Sequence, residues 1–195
     1  MTTAPSERPL SFEEFLAFES AADRRHEYVA GYVYALAGAG RQHNLIAARI
    51  IARLVAPSEA RGCQVFGSDM LLRAANEVGD VGYYPDVQVV CDPTDQHQLY
   101  TERPCIIVEV LSDSTRRIDR GEKLETYTRI PSLQAYLVVW PDQRRIERHW
   151  RRDQEWHLEL VVDDGSVPFP CVGVELSLDE IYGRIQFGVI SAESQ

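Results

Sequence analysis

The segment that most restricts how this chain can fold is Cys105-Ile106-Ile107-Val108-Glu109-Val110-Leu111. Its apolar residues fill both faces, the pattern of a strand at the centre of a covered sheet. A single carboxylate breaks that pattern. A charge left alone there is costly, so Glu109 must be neutralised, paired with a cation or bound to a metal. Upstream, Pro85-Asp86 opens a second apolar strand, Val87-Gln88-Val89-Val90-Cys91. Downstream, a Ser/Asp-rich turn leads into a helix that carries Lys123. Of the 20 basic residues of the chain, Lys123 alone is lysine. Arginine is the better group for surface ion pairs, whereas lysine offers a compact ammonium with a tunable pKa.

The remaining segments arrange themselves around this stretch. Ser11, with Glu14 three residues later, forms a capping box before a short helix bearing Phe12, Phe15 and Leu16. Glu27–Val29 and Tyr32–Leu36 alternate as two strands about Ala30-Gly31. A helix is predicted from Gln42 to Ser58, with Leu45, Ala48, Ile51, Ala52 and Val55 as its buried stripe and Pro57 at its end. A strand follows over Gly62–Ala74, and Asn76–Gly82 reads as a turn. The strand at 85–91, a polar loop at 92–103 and the strand at 105–111 come next. A helix over Thr115–Ile130 leads to a strand at Leu133–Trp140. Arg144–Arg151 and Trp156–Val162 form a closing antiparallel pair, with Phe169–Tyr182 packed over the core.

Strand 105–111, helix 115–130 and strand 133–140 make one crossover unit with parallel strands. The expected fold is mixed α/β: a central mixed sheet flanked by helices, in the order α-β-β-β-α-β. An N-terminal helix and hairpin precede this core and further strands follow it. At 195 residues, without linker or repeat, one domain is expected over 11–187, with flexible tails at 1–10 and 188–195. No segment reads as membrane-spanning or as a leader, which points to the cytoplasm. The four cysteines stand singly and read as reduced core residues rather than disulfides or zinc ligands.

If the two central strands pair, Asp86 and Glu109 fall at neighbouring positions, and two carboxylates held together call for a cation between them. Oxygen donors with room for water suit Mg²⁺ or Mn²⁺ better than zinc. A long lysine on a helix running back across the sheet reaches the same point. On that helix Arg116, Arg120, Lys123 and Tyr127 share one face by α-helical spacing, a basic stripe suited to a phosphate backbone. The formal charge of −10 argues against non-specific nucleic-acid coating, but residues 103–152 carry eleven basic against seven acidic side chains.

Tyr84-Pro85-Asp86, Glu109-Val110-Leu111, the run Arg117–Leu124 and Tyr127–Leu133 resemble the PD-(D/E)XK nuclease superfamily, and within it the Uma-type restriction endonucleases. The resemblance spans roughly Ser11 to Tyr182. It implies a restriction-endonuclease-like core in which Asp86 and Glu109 bind Mg²⁺ (or Mn²⁺) and a lysine assists the water that attacks DNA. It also implies Glu27 as a further acid of the metal shell, His43 and Tyr127 as accessory residues, and a homodimer. The family's lysine position, two residues after the acid, is Leu111 here, so the role passes to Lys123 on the following helix. Two other classes of function fit the same residues: a nuclease fold kept as a binding or regulatory module, and a metal-dependent hydrolase of a small phosphate ester.

Overall fold

A computed structural model describes residues 8–112 and 118–187. Its elements are α1 (Phe12–Ser20), β1 (His26–Val29), β2 (Tyr32–Ala35), α2 (Arg41–Glu59), β3 (Gln64–Gly67), β4 (Leu71–Asn76), β5 (Gly79–Tyr83), β6 (Val87–Val90), β7 (Tyr100–Thr101) and β8 (Pro104–Val110). A π-helical turn, Asp119–Lys123, then runs into α3 (Leu124–Thr128). They are followed by β9 (Ala135–Val139), β10 (Arg145–Arg152), β11 (Glu155–Val162), β12 (Ser166–Phe169), β13 (Val174–Ser177) and α4 (Leu178–Tyr182). No described helix is long and apolar enough to cross a membrane.

Six strands form the main sheet in the order β11-β10-β9-β8-β6-β3. β8 and β9 are parallel, and the other pairs are antiparallel. Read along the chain, α2, β3, β6, β8, α3 and β9 reproduce the expected α-β-β-β-α-β order. A second sheet, β2-β1-β5-β4-β7, holds the N-terminal hairpin. Its central strand β5 covers part of the segment expected to be a turn. Asn76, Gly79, Asp80 and Gly82 have turn composition, but Gly79–Tyr83 pairs with Leu72–Asn76 across a two-residue connection. Gly82 is there because of packing: a Cβ would lie 3.2 Å from Leu71 and 3.3 Å from Phe12.

Strand alternation on β8 divides the core in two. Ile106, Val108 and Val110 pack with Ile46, Ile50 and Leu54 of α2 and with the C-terminal segment. Ile107 and Leu111 join Tyr83, Tyr127, Tyr136 and Trp140 on the other face. The buried stripe of α2 is therefore Ile46-Ile50-Leu54-Ser58, one residue out of phase with the expected one, while Leu45 and Val55 are exposed. Apolar residues cover more than half of this helix's circumference, and the bulkiest row wins the core. Leu54→Ala is expected to cost about 2–5 kcal/mol and Val55→Ala less than about 0.5 kcal/mol. Urea denaturation of the two variants checks this, and equal losses would contradict the assignment. Pro57 lies within the last turn of α2, which runs on to Glu59. So near a helix end, a proline forfeits one hydrogen bond without stopping the helix.

Two other expectations change, and a third falls outside the described residues. Leu10, assigned to a flexible tail, is docked: its N–H donates to Gly31 O (3.0 Å) and its carbonyl accepts from Tyr28 Oη (2.8 Å). The start of the helix predicted at Thr115 lies outside the described residues. The cysteines are paired rather than reduced, as Cys63–Cys91 and Cys105–Cys171. Spacing along the chain hid this because β3, β6 and β8 are neighbours whose ends meet, and the Gln64↔Val90 register places Cys63 opposite Cys91.

Candidate active site

Backbone pairing brings the two central acids together. The Val87↔Val108 register of β6 and β8 continues to Asp86 beside Glu109, and Asp86 Oδ2 accepts a hydrogen bond from Val110 N at 2.7 Å. Tyr84 anchors the Pro85-Asp86 turn by donating to Glu19 Oε1 at 3.1 Å. The same carboxylate accepts from His26 N at 2.9 Å, tying α1 and β1 to the turn. Glu27, on β1, points toward the main sheet, so the hairpin of the second sheet contributes an acid to the site.

Lys123 sits at the centre. Its ammonium lies 2.8 Å from Glu27 Oε1, 3.1 Å from Glu109 Oε1 and 3.3 Å from Asp119 Oδ1, and it is only 3% exposed. Tyr127 donates to Glu109 Oε1 at 2.9 Å. His43, near the start of α2, places Nε2 3.0 Å from Asp86 Oδ2, while its buried Nδ1 has no hydrogen-bond partner among the described residues. The structure therefore gathers Glu27, His43, Asp86, Glu109, Lys123 and Tyr127 in one place.

The basic stripe does not assemble as predicted. Arg120 forms a two-pronged pair with Glu147, Nε to Oε2 and Nη2 to Oε1 both at 3.0 Å, and lies 5.4 Å from the Trp140 ring centroid. Arg116 lies outside the described residues. The reason for Arg120 is the π turn. Bonding from i to i+5 winds the chain more slowly than an α-helix, so residues four apart align and residues three apart diverge. Asp119, Lys123 and Tyr127 consequently share the face turned to Glu109. Asp119 is the acid that the sequence reading missed. Its position four residues before Lys123 was the available signal.

Desolvation dominates the electrostatics. Burial pushes the Glu109 carboxyl well above the usual carboxylate range; the Lys123 ammonium opposes that shift, and Asp119, Asp86 and Glu27 add to it. Burial alone would lower Lys123, but Glu109, Glu27 and Asp119 outweigh it and hold the ammonium above its ordinary value. Tyr127 is raised by burial and then by the Glu109 charge, so its phenol stays protonated and remains a donor.

The acids open onto a cavity of about 480 Å³ that Glu27, His43, Asp86, Glu109, Asp119 and Lys123 help to line, with Arg24 and Arg25 also in its wall. A second depression lined by Arg41, Gln42 and Asp142 shares His43 and Ser112 with the first. The two depressions adjoin at His43 and Ser112, with Arg24 and Arg25 in the wall of the first and Arg41 in the wall of the second. Arg24, Arg25 and Arg41 belong to no apolar period, which left them unmarked in the sequence. Four carboxylates against one ammonium leave an excess of negative charge. With oxygen donors facing a cavity that has room for water, the site fits a hard divalent cation such as Mg²⁺ or Mn²⁺.

This arrangement of sheets and helices is that of a restriction-endonuclease-like fold. The solved structure of "a putative nuclease belonging to DUF820" from Anabaena variabilis superposes with a TM-score of 0.67 at 17% identity, covering 89% of this chain and 98% of that one. The chain belongs to the Uma2 family, described as "Putative restriction endonuclease", whose model matches residues 12–179. Two relatives from Synechocystis sp. are each 31% identical. The protein slr1290 aligns over 91% of this chain and 94% of its own length, and sll1609 over 87% and 97%.

Proposed function

We propose that the chain is a Mg²⁺-dependent endodeoxyribonuclease that hydrolyses phosphodiester bonds of DNA in the cytoplasm. The observation that carries this reading is the convergence of Glu27, Asp86, Glu109 and Lys123 on one cavity. Asp86 and Glu109, with Glu27, would hold the cation. When bound, it would polarise the scissile phosphate and lower the pKa of the attacking water.

The chain's own residues do the rest. Asp86 is kept in position by the Val110 N–H and by His43, so its second oxygen has a fixed direction. Tyr127 fixes Glu109 in the same way. Lys123 is pre-oriented by the three carboxylates and donates toward a water or a phosphate oxygen entering the cavity. That supplies positive charge where negative charge develops in the transition state. Arg24 and Arg25 on one side and Arg41 on the other flank the path of a phosphate backbone. Cutting both strands would require two such sites, which a homodimer would provide.

The test is nicking of supercoiled plasmid by purified protein in Mg²⁺, Mn²⁺ or EDTA, beside Asp86→Asn and Lys123→Ala. Cutting that requires the metal and is lost in both variants is expected. Cutting that survives in both would place the activity elsewhere. No cutting by folded protein under any condition would overturn the nuclease reading in favour of a binding module.

A further inference from the structure

Every cysteine of the chain lies in one cluster, at the end of the main sheet away from the acids. Cys63 precedes β3, Cys91 follows β6, Cys105 lies in β8, and Cys171 is in the turn between β12 and β13. Four separate segments thus deliver one sulfur each. The two disulfides touch, with Cys91 Sγ 3.5 Å from Cys105 Sγ. The sulfurs of Cys91, Cys105 and Cys171 all lie within 4.8 Å of one another. We propose that the reduced chain binds one soft divalent cation such as Zn²⁺ at Cys63, Cys91, Cys105 and Cys171, as a tetrathiolate centre separate from the carboxylate site.

The geometry supports this. Tetrahedral Zn²⁺ with Zn–S bonds of about 2.3 Å holds its sulfurs about 3.8 Å apart, close to the 3.5 Å between Cys91 and Cys105, and the disulfide to Cys91 brings Cys63 to the same group. Reduction frees the bonded pairs to separate toward that spacing by side-chain rotation. Cys63 and Cys105 are buried and Cys91 and Cys171 half-buried, the enclosure of a structural site rather than a catalytic one. Charge is also accommodated. Four thiolates around M²⁺ carry two net negative charges, and the Arg61 guanidinium packs against Gly173, two residues beyond Cys171, where a Cβ would clash with it at 2.3 Å. The carboxylate site is distinct, since Cys105 and Glu109 are separated by about 13 Å of extended strand.

The chemistry balances with a dithiol as reductant. Each disulfide takes two electrons and two protons and leaves one molecule of cyclic disulfide from the dithiol. The four thiols formed then lose four protons as M²⁺ binds. Cytosolic thiols are ordinarily kept reduced, which favours the metal form there. The inference stands apart from the nuclease reading, and either can fail alone.

Anaerobic Co²⁺ titration of the full chain, reduced with dithiol and then freed of it, provides the test. One Co²⁺ per chain is expected, with thiolate-to-cobalt charge-transfer bands and tetrahedral ligand-field bands, all displaced by one equivalent of Zn²⁺. The spectrum should persist in the Asp86→Asn/Glu109→Gln double variant and vanish in Cys105→Ser and Cys171→Ser. Absence of thiolate bands, or bands lost in the double variant, would overturn the proposal. A second readout uses the unmutated chain in case the serine variants fail to fold. One equivalent of Zn²⁺ should protect all four thiols from alkylation, as counted by mass spectrometry. Unchanged labelling, or disulfides that resist the reductant in the folded chain, would equally overturn it.

Discussion

Lys123→Met is expected to abolish metal-dependent cleavage and, in EDTA, to lower stability by about 3–5 kcal/mol, the usual result of removing one partner from a buried ion cluster. The ammonium is enclosed by Glu27, Glu109 and Asp119 within 3.3 Å. Methionine keeps most of the length and apolar stem, so the lost quantity is charge. The variant's carboxylates then escape their repulsion by taking up protons, and the deficit depends on pH in a definite direction. A carboxyl raised in the folded state binds protons more readily than in the unfolded chain, so lowering the pH relieves the variant and narrows its gap to the parent. Added Mg²⁺ should restore part of the stability by replacing the missing charge. Urea denaturation across pH, with and without Mg²⁺, measures all three effects. A variant as stable as the parent in EDTA near neutral pH would mean that Lys123 compensates nothing.

Glu109→Gln should separate stability from activity. Burial already drives this carboxyl toward its protonated form, and Asp119, Asp86 and Glu27 add like-charge repulsion. The amide keeps an oxygen to accept from Tyr127, and Lys123 retains Glu27 and Asp119. Stability in EDTA is therefore expected to stay level or rise by about 1 kcal/mol, in line with replacing a buried charge without leaving a partner alone. Cleavage should fall by at least about 10²–10³-fold, the scale for losing one preorganised electrostatic group. The shift in melting temperature produced by Mg²⁺ in the parent should shrink with it. A strongly destabilised variant, or one that cuts normally, would show that Glu109 acts as a structural anchor only.

The parts of this architecture that could be read from sequence are those where local chemistry breaks its own pattern. Glu109 in an apolar strand and Lys123 in a chain otherwise built on arginine each announced themselves. That Asp86 lies beside Glu109 followed from the assumption that their two strands pair, which the β6–β8 register bears out. The unread parts depend on geometry that the sequence does not encode locally. An α-helical period placed Arg120 beside Lys123; the π turn put Asp119 there and sent Arg120 to Glu147. The turn composition of 76–82 concealed β5, and the second sheet with it. The cysteines looked solitary because their meeting depends on strand order, a long-range property. On α2 two stripes were equally periodic, and only the packing against β6 and β8 distinguished them.

The π turn has a consequence for how such a protein can change over generations. It amounts to one residue more than an α-helix would use over the same turn, Asp119–Lys123. Loss of a single codon in Asp119–Lys123, for instance that of Gly121, whose missing Cβ has open space around it, would rewind the segment and swing the ammonium away from the acids. Glu27, Asp86 and Glu109, which lie outside that turn, would remain in place. A lineage could thus withdraw the lysine from the site while keeping the fold, and a residue-by-residue comparison that scores only those acids would not register the change.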